Sequence, residues 1–428
     1  MKKNALACES MNLNLRGMPL SATLNINEKS NEMIKQGKKV YKLGLGQAPF
    51  PVPDVVVDAL KENANKKDYL PVKGLYELRD AVAKYYKYSQ DLDFSAEDIL
   101  IGPGSKELMF ILQVVFYGEL LLPAPSWVSY APQARILGRK MAWIETYEEN
   151  DWLLMPEDLD RYCKTDPYAP RVMILNYPNN PTGKTYPEHL LKELAEVSRK
   201  YGIIVLSDEI YGELHHDGKH ISIAKFYPEG TIISSGLSKW AGAGGWRLGT
   251  FAFPENLRWL LDGMATVASE TFTAVSAPIQ FASIRAFNFD EAIHNYLKHS
   301  RRILKALGGY IYEHFNEVGI KVPRPDGAFY FLPNFSGLKD KLLKKGIDTS
   351  EKLCEAILND TGVAFLPGSD FGRDPKEFTT RIAYVDFDGK TALDAAYKTD
   401  VIDDEFLRKY CSNTVLAIDK MCDWVKAL

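Results

Sequence analysis

The chain has 428 residues, of which 46% are hydrophobic and 25% charged, and its 52 basic and 56 acidic side chains give a formal net charge of −4. This composition is typical of a soluble globular protein with a large buried core, and it excludes a disordered or collagen-like chain. The weakly acidic balance, without a basic stripe, disfavours a nucleic-acid partner.

The cysteines and the apolar stretches indicate the cellular compartment of the protein. Cys8, Cys163, Cys354, Cys411 and Cys422 are scattered and form no CxxC pair. This pattern predicts neither a disulfide framework nor a metal site, and it favours a reducing compartment. No apolar run reaches the roughly 18 residues of a membrane span, and the apolar part of residues 1–9 is too short for a signal peptide. We therefore expect a cytoplasmic protein with no membrane partner.

The first predicted element is an amphipathic helix over residues 21–36. Ser21 can cap its first turn, Leu24 and Ile34 lie among its apolar positions, and Gly37 ends it. A loop rich in proline and glycine follows at residues 44–53.

Strands and helices alternate in the middle of the chain. Short apolar runs occupy residues 171–176, 203–207, 231–235 and 249–253, and a helix is predicted at about 187–200. Such runs indicate a parallel sheet covered by helices on both faces. Asn180, Asp208 and Lys239 lie at or just beyond strand ends, where binding residues of these sheets gather. We expect these three side chains to share one site.

The pattern changes after about residue 300, where a helix near 289–316 leads into alternating helices and short strands. We interpret this part as a second, α+β domain joined by the N-terminal segment. The predicted division is residues 1–50 as an N-terminal arm and part of the small domain, 51–300 as the large domain, and 301–428 as the small domain.

Three segments carry residues suited to chemistry, although each has a simpler reading. Lys239, in a loop rich in serine and glycine, is a candidate Schiff-base nucleophile, and Arg247 could approach a phosphate closely. The alternative is a glycine-rich loop with two surface cations. Asp208 alone could be a helix cap, Tyr211 a packing aromatic, and residues 176–183 a simple turn.

Taken together, these segments resemble the class I/II aminotransferases, which have the type-I fold of pyridoxal-phosphate enzymes. Residues 176–183 match the family pattern N-P-x-N-P-T-G, residues 208–211 match D-E-x-Y, and residues 238–249 match the S-K segment that ends in G-x-R-x-G. The similarity extends from about residue 20 to 400. It implies an α/β fold, with a large domain built on a mostly parallel seven-stranded sheet flanked by helices, plus a smaller α+β domain.

The resemblance also implies roles toward pyridoxal 5′-phosphate. Lys239 would be the Schiff-base lysine and proton shuttle, and Asp208 would pair with the pyridine nitrogen. Tyr211 and Asn180 would bind the 3′ oxygen of the ring. The other implied cofactor contacts are Gly104, Ser105 and Lys106 in a phosphate loop, Trp127 stacked on the ring, Ser238, Arg247 on the phosphate, and Tyr69.

Two positions in this pattern concern the phosphate. Tyr69 matches the tyrosine that reaches the phosphate of the neighbouring subunit, which implies a homodimer with shared active sites. Gly236 stands where many relatives have a serine or threonine that bonds the phosphate. Ser235 or Ser238 could substitute for that missing hydroxyl.

Substrate recognition rests on further matches. Arg381 matches the arginine that binds the substrate α-carboxylate, which a planar guanidinium grips with two hydrogen bonds. Gly46 matches the glycine of the substrate-facing loop, although the commoner wording G-E-P-x-F is replaced here by G-Q-A-P-F. The chain resembles bacterial-type (subgroup Ib) aspartate aminotransferases, which implies that Ser21, Thr23 and Lys106 bind a distal carboxylate.

The expected function is ping-pong transamination between an L-amino acid, aspartate being the first candidate, and a 2-oxo acid such as 2-oxoglutarate. The alternative is another pyridoxal-phosphate reaction, a β-lyase or a ring-forming synthase, because this fold hosts several reactions. A cofactor-binding transcription regulator is disfavoured, since only about 20 residues precede the matched region and leave no room for a winged helix.

Overall fold

The structure, a computed structural model, describes residues 11–428 except for the side chain of Asn25. Cys8 and the segment in which we expect no signal peptide lie outside the described residues. Within residues 11–428, no helix is long and apolar enough to cross a membrane. The same residues contain no cluster of three or more His, Cys, Asp or Glu side chains suited to a metal ion.

The described strands are β1 (Tyr41–Lys42), β2 (Ile99–Gly102), β3 (Glu119–Ala124), β4 (Met141–Glu145), β5 (Arg171–Asn176), β6 (Ile204–Asp208), β7 (Thr231–Gly236), β8 (Gly249–Ala252), β9 (Tyr330–Phe331), β10 (Val363–Ala364), β11 (Leu366–Pro367) and β12 (Thr380–Ala383). The described α-helices are α1 (Ala22–Lys35), α2 (Asp54–Asn63), α3 (Tyr76–Gln90), α4 (Ser105–Val115), α5 (Tyr130–Ile136), α6 (Pro156–Cys163), α7 (Glu188–Lys200), α8 (Arg258–Ser269), α9 (Ala277–Phe287), α10 (Glu291–Glu317), α11 (Lys339–Lys344), α12 (Ser350–Thr361), α13 (Gly389–Ala396), α14 (Asp404–Tyr410) and α15 (Ser412–Lys426).

A seven-stranded sheet forms the centre of the described chain, with the strand order β2-β8-β7-β6-β5-β3-β4. All pairs from β7 to β4 are parallel, whereas β8 runs antiparallel to both β2 and β7. Residues 237–248 between β7 and β8 contain no α-helix. Because a parallel crossover needs a longer connection, usually with a helix, the chain turns back at β8. The expected mostly parallel sheet is confirmed.

Both faces of this sheet are buried, as its apolar sequence predicts. In β5, Val172 and Ile174 pack into a cluster that includes α4 and α8, while Met173 and Leu175 pack into a second cluster that includes α6 and α7. Successive side chains of a strand point to opposite faces, so an apolar run without alternation needs cover on both sides. The strand ends, in contrast, are free to carry polar groups.

The C-terminal part of the chain builds a smaller antiparallel sheet in the order β11-β12-β9, and β1 pairs in parallel with β10. This last pairing places the N-terminal segment beside elements more than 300 positions away in sequence. The boundaries 1–50, 51–300 and 301–428 stay a prediction.

Helix α1 lies within the predicted range, but its cap differs from the expectation. Ser21 occupies the N-cap position without making a side-chain cap hydrogen bond. Its hydroxyl instead lies 3.1 Å from that of Thr23. The predicted capping role of Ser21 is therefore wrong, because a neighbouring hydroxyl engages its oxygen.

Candidate active site

The ends of β5 and β6 bring the first predicted site residues together. Asn176 pairs with Asp208 in the strand register, and its side chain donates to the Asp208 carbonyl at 2.9 Å. The Asn176 side-chain oxygen accepts the backbone N–H of Asn180 at 2.8 Å. One asparagine thus ties the turn after β5 to the end of β6.

A cavity of about 490 Å³ opens at these strand ends. The predicted site residues that line it are Gly46, Ser105, Lys106, Trp127, Asn180, Asp208, Tyr211, Ser238, Lys239 and Arg247. Ser21, Thr23, Tyr69, Gly104 and Arg381 are not among its lining residues. A larger cavity of about 650 Å³, beside Trp246 and Tyr397, contains no predicted site residue.

Lys239 is held in this cavity, and no carboxylate among residues 11–428 is paired with it. Its Nζ donates to the Gly46 carbonyl at 2.7 Å and lies 5.7 Å from the centre of the Tyr211 ring. Burial, aided by the positive charge of Arg381, lowers the pKa of Lys239 to about 8, against the opposing effect of Asp208. A lysine with this pKa is a usable nucleophile near neutral pH.

Asp208 is a buried carboxylate whose charge depends on its hydrogen bonds. Burial raises the pKa of Asp208 to about 6, while the Tyr130 hydroxyl opposes this shift. That hydroxyl donates to Asp208 at 2.5 Å, and the Ser234 hydroxyl donates to its other oxygen at 3.4 Å. A buried acid of this kind is suited to hold a cationic ring nitrogen.

Tyr130 was not among the residues predicted from the sequence. It begins α5, is fully buried and packs edge-on against Trp127 at 5.3 Å. A buried tyrosine near a tryptophan reads as core packing. Its contact with Asp208 joins positions 78 residues apart, and no local pattern indicates it.

A corner lined by the Arg247 guanidinium forms where α4 begins. Gly104 precedes α4, and a Cβ atom built on it would lie 2.2 Å from a terminal nitrogen of Arg247. A Cβ on Gly249 would lie 2.2 Å from the backbone nitrogen of Ser105. These glycines allow the guanidinium and β8 to approach the helix N-terminus, whose N–H groups favour a phosphate.

Packing explains why a glycine stands at position 236, where the family pattern often has a serine or threonine. Gly236 ends β7 opposite Gly249, and a Cβ there would lie 2.6 Å from the Leu248 carbonyl and 2.9 Å from the Gly249 Cα. The strand contact leaves no space for a side chain. Of the two proposed substitutes, Ser238 lines the cavity, whereas Ser235 does not.

Arg381 lies fully buried behind the cavity with its hydrogen-bonding capacity mostly unused. One terminal nitrogen donates to the Gly44 carbonyl at 2.8 Å. Its Nε and Nη1 have no hydrogen-bond partner among the described residues. Since buried charged groups are normally paired, these N–H groups fit a ligand carboxylate.

Tyr211 and Asn180 also present polar atoms to the site. The Tyr211 hydroxyl lies 2.7 Å from that of Tyr330, and the side-chain oxygen of Asn180 is buried without a partner in the described chain. Tyr330 was missed by the sequence reading, because it lies in the apolar run 328–332 and resembles a core residue.

The substrate-side residues of α1 are arranged differently from the prediction. Leu24, 51% exposed, faces the cavity, while the Ser21 and Thr23 hydroxyls contact each other. Lys106 lines the cavity, and its Nζ lies 5.3 Å from the centre of the Trp127 ring. Tyr69 is 94% exposed, on the protein surface.

Comparison with known proteins identifies the family to which this site belongs. The family described as aminotransferase class I and II matches residues 38–388. The chain belongs to this family. The expected fold class, family and enzyme class are therefore confirmed, and this protein catalyses the transamination of amino acids.

Several proteins named as aminotransferases are similar to this chain over most of their length. Aspartate aminotransferase of Bacillus subtilis is 32% identical over 362 residues, which are 82% of this chain and 89% of the relative. Aromatic-amino-acid aminotransferase 2 of Thermococcus litoralis is 32% identical over 354 residues, 81% of this chain and 87% of the relative. The structure of Thermus thermophilus aspartate aminotransferase with maleate superposes with a TM-score of 0.82 at 27% identity, covering 96% of this chain and 99% of that one.

Family membership implies pyridoxal phosphate as the cofactor of this aminotransferase, and the residues present fit that group. The basic side chains lining the cavity are Lys106, Lys239 and Arg247, against the single acid Asp208. The corner between Arg247 and the N-terminus of α4 suits a phosphate, and the unpaired oxygen of Asn180 suits a polar ring substituent. The donor set is that of a site for a phosphorylated, cationic heterocycle and a carboxylate.

Proposed function

We propose that this aminotransferase binds pyridoxal 5′-phosphate at Lys239 and transfers the amino group of an acidic L-amino acid, aspartate first, to a 2-oxo acid such as 2-oxoglutarate. The observation that carries the proposal is the meeting of Lys239, Asp208 and Arg247 in one cavity, with the unpaired N–H groups of Arg381 behind it. When bound, the cofactor supplies an electron sink that stabilises the carbanion formed at the substrate Cα.

The protein side chains transfer the proton and hold the ring nitrogen and the phosphate. The neutral amine of Lys239 would take the proton from the substrate Cα and deliver it to the C4′ carbon of the cofactor, which its pKa of about 8 permits near neutral pH. Asp208 holds the proton on the ring nitrogen, and Tyr130 keeps that carboxylate ionised. Arg247 and the N-terminus of α4 bind the phosphate.

Arg381 orients the substrate for proton removal. One N–H of Nη2 donates to Gly44, and its second N–H can pair with the free Nε or Nη1 to grip the α-carboxylate. A fixed carboxylate fixes the direction of the Cα–H bond, and this favours proton transfer over loss of carbon dioxide. Gly46, whose carbonyl accepts from Lys239, forms the facing wall.

Lys106 is the residue that favours a second carboxylate on the substrate. Its Nζ has no ion-pair or hydrogen-bond partner in the described chain, and burial lowers the pKa of Lys106. A distal carboxylate would supply the missing counter-charge. Ser21 and Thr23 are proposed as further donors to this carboxylate, and they contribute only if α1 shifts inward, because Leu24 faces the cavity here.

A half-reaction without acceptor tests the reaction class. Incubation of the loaded enzyme with aspartate alone should release one equivalent of the matching 2-oxo acid per site and no ammonia. With cysteine in place of aspartate, continuous release of pyruvate, ammonia and hydrogen sulfide would instead show a β-lyase. Absence of product with every amino acid in a panel would contradict the proposal.

The variant Lys106→Ala tests the substrate class. We expect the KM for aspartate to rise about tenfold or more, as for loss of one charge-assisted hydrogen bond, with little change for alanine. The matched control is Lys192→Ala, which removes a surface lysine paired with Glu188 on α7. Equal effects on aspartate and alanine would contradict recognition of a distal carboxylate by Lys106.

The assembly and location follow from the same proposal. We propose a homodimer in which Tyr69 of each subunit completes the phosphate site of the other, located in the cytoplasm. The exposure of Tyr69 and its absence from the cavity of its own subunit support this arrangement.

A further inference from the structure

Tyr330 occupies the point where several parts of the proposed site meet. It lies in β9 opposite Ala383 of β12, so that it sits beside the strand that carries Arg381. Only 1% of Tyr330 is exposed, and it does not line the cavity. Any effect it has on bound ligands must therefore pass through its neighbours.

The hydroxyl of Tyr330 contacts the Tyr211 hydroxyl and the Gly46 carbonyl. It lies 2.7 Å from the Tyr211 hydroxyl and 3.5 Å from the Gly46 carbonyl, the carbonyl that also accepts from Lys239. A Cβ on Gly46 would lie 2.0 Å from the Tyr330 oxygen. Glycine at position 46 is therefore a steric requirement of the Tyr330 hydroxyl.

The ring of Tyr330 packs against the guanidinium of Arg381. The guanidinium carbon lies 5.1 Å from the centre of this ring and 5.2 Å from that of Phe371. Two aromatic faces and one hydrogen bond to Gly44 thus hold the guanidinium while its Nε and Nη1 stay free.

The hydroxyl is not needed for packing, because Phe329 and Phe331 on either side are fully buried without one. A buried hydroxyl is costly unless it is hydrogen-bonded. Burial raises the pKa of Tyr330, so the phenol stays protonated and carries a single O–H. Its short contact with Tyr211 is therefore an oriented bond between two neutral phenols.

We propose that Tyr330 is a positioning residue of this aminotransferase: its hydroxyl aligns Tyr211 with the oxygen of the cofactor ring, and its ring aligns Arg381 with the substrate carboxylate. This inference rests on the function proposed above. It predicts that loss of the hydroxyl affects cofactor binding, whereas loss of the ring also affects substrate binding.

Two substitutions separate these consequences. Tyr330→Phe keeps the ring below Arg381 and removes the bond to Tyr211, so the dissociation constant of pyridoxal phosphate should rise about tenfold while the KM for the amino acid changes less than about twofold. Tyr330→Leu also removes the ring, so the KM should rise about tenfold in addition. Equilibrium dialysis of the apoprotein measures the first quantity without reference to activity.

The matched control is Tyr384→Phe. Tyr384 is fully buried on the segment after β12, and its hydroxyl bonds the Ala328 carbonyl at 3.3 Å, outside the site. This variant should alter neither the cofactor dissociation constant nor the KM, whatever it does to the melting temperature. A similar loss of cofactor affinity in both variants would show that Tyr330 has only a packing role.

A double-mutant cycle tests the route of the effect. Tyr211→Phe removes the same bond from the other side, so Tyr211→Phe/Tyr330→Phe should bind the cofactor no more weakly than Tyr211→Phe alone. Additive losses would overturn the proposed alignment of Tyr211.

The outcomes distinguish the two proposals. A native protein that neither binds pyridoxal phosphate nor completes a half-reaction overturns the proposed function, and the role of Tyr330 with it. A native protein that does both, beside a Tyr330→Phe variant of unchanged cofactor affinity, overturns only the role of Tyr330.

Discussion

Burial prepares the two ionisable side chains on which the proposed chemistry depends. It moves the pKa of Lys239 down to about 8 and that of Asp208 up to about 6, both toward neutral pH. Each side chain keeps an oriented hydrogen bond, Lys239 to the Gly46 carbonyl and Asp208 from Tyr130. The result is an amine that is partly neutral and an acid that ionises readily, within one cavity.

The pKa of Lys239 predicts how its reactivity depends on pH. With a pKa of about 8, roughly one amine in ten is neutral at pH 7, so labelling by pyridoxal phosphate and borohydride should rise with pH to a midpoint near 8. Peptide mapping across a pH series measures this rate. Lys84, whose pKa Asp80 raises, serves as the control and should be labelled only at higher pH. A midpoint for Lys239 as high as that of Lys84 would contradict the prediction.

The variant Tyr130→Phe should raise the pKa of Asp208, because Tyr130 donates a hydrogen bond to that carboxylate. Loss of the 2.5 Å bond removes an interaction that lowers the pKa of Asp208, so this pKa should rise further and the acidic limb of the kcat/KM profile should move to higher pH. We expect kcat to fall about tenfold, as for loss of a hydrogen bond to a charged group. Tyr186→Phe is the control, because the one hydrogen bond of that buried hydroxyl to the described part of the chain is accepted from the Leu154 backbone N–H. An unshifted acidic limb would argue against this role.

The sequence reading found those residues whose chemistry is unusual for their local pattern. Lys239, Asp208 and Asn180 are polar groups at strand ends, and the structure brings them to one cavity. Tyr130 and Tyr330 were missed because a buried tyrosine fits a core equally well. Their decisive contacts span 78 and 119 residues, and only the folded chain reveals them.

At the scale of elements, hydrophobic runs predicted the strands that are buried on both faces. The runs at 171–176, 203–207 and 231–235 correspond to β5, β6 and β7 within one residue at each end. The reversed direction of β8 and the two-residue strands β1 and β10 depend on pairing with distant segments, which periodicity does not encode. The local sequence therefore predicted these strands and their parallel direction, whereas the reversal at β8 depends on tertiary contacts.

The contact between β7 and β8 explains why a hydroxyl cannot be added at position 236. Gly236→Ser would force a Cβ to 2.6 Å from the Leu248 carbonyl, so we expect a loss of stability of about 1–3 kcal/mol without tighter cofactor binding. Thermal unfolding and dialysis measure the two effects. Gly337→Ala, at an exposed glycine whose nearest atom would be 3.6 Å away, is the control and should be close to neutral. A stable serine variant with improved cofactor affinity would refute this steric account.

At the scale of the whole molecule, the charge of the cavity is opposite to that of the chain. The protein carries a formal charge of −4, yet the cavity has three basic side chains and one acidic one. A local positive field in an acidic protein concentrates anionic ligands at the site without promoting general binding to polyanions. The same contrast suits the anionic cofactor and the dicarboxylic substrates proposed above.

The dimer proposed from Tyr69 predicts complementation between two inactive variants. Lys239→Ala lacks the amine and Tyr69→Ala lacks the exposed phenol, but a mixed dimer would contain one complete site: Lys239 from one subunit and Tyr69 from the other. Random exchange of subunits in a two-fold dimer should restore about a quarter of the native activity. Co-expression with two different affinity tags isolates the mixed dimer for assay.

The control for this mixture uses a tyrosine that is equally exposed but has no proposed role. Tyr168 is 95% exposed, and Tyr168→Ala alone should keep native activity. A tyrosine that completed the site of its own subunit would leave both sites of the mixed dimer defective, because each defective subunit would then carry its own lesion. A mixed dimer without recovered activity would therefore contradict shared sites, since Tyr69 can restore the partner's site only from across the subunit boundary.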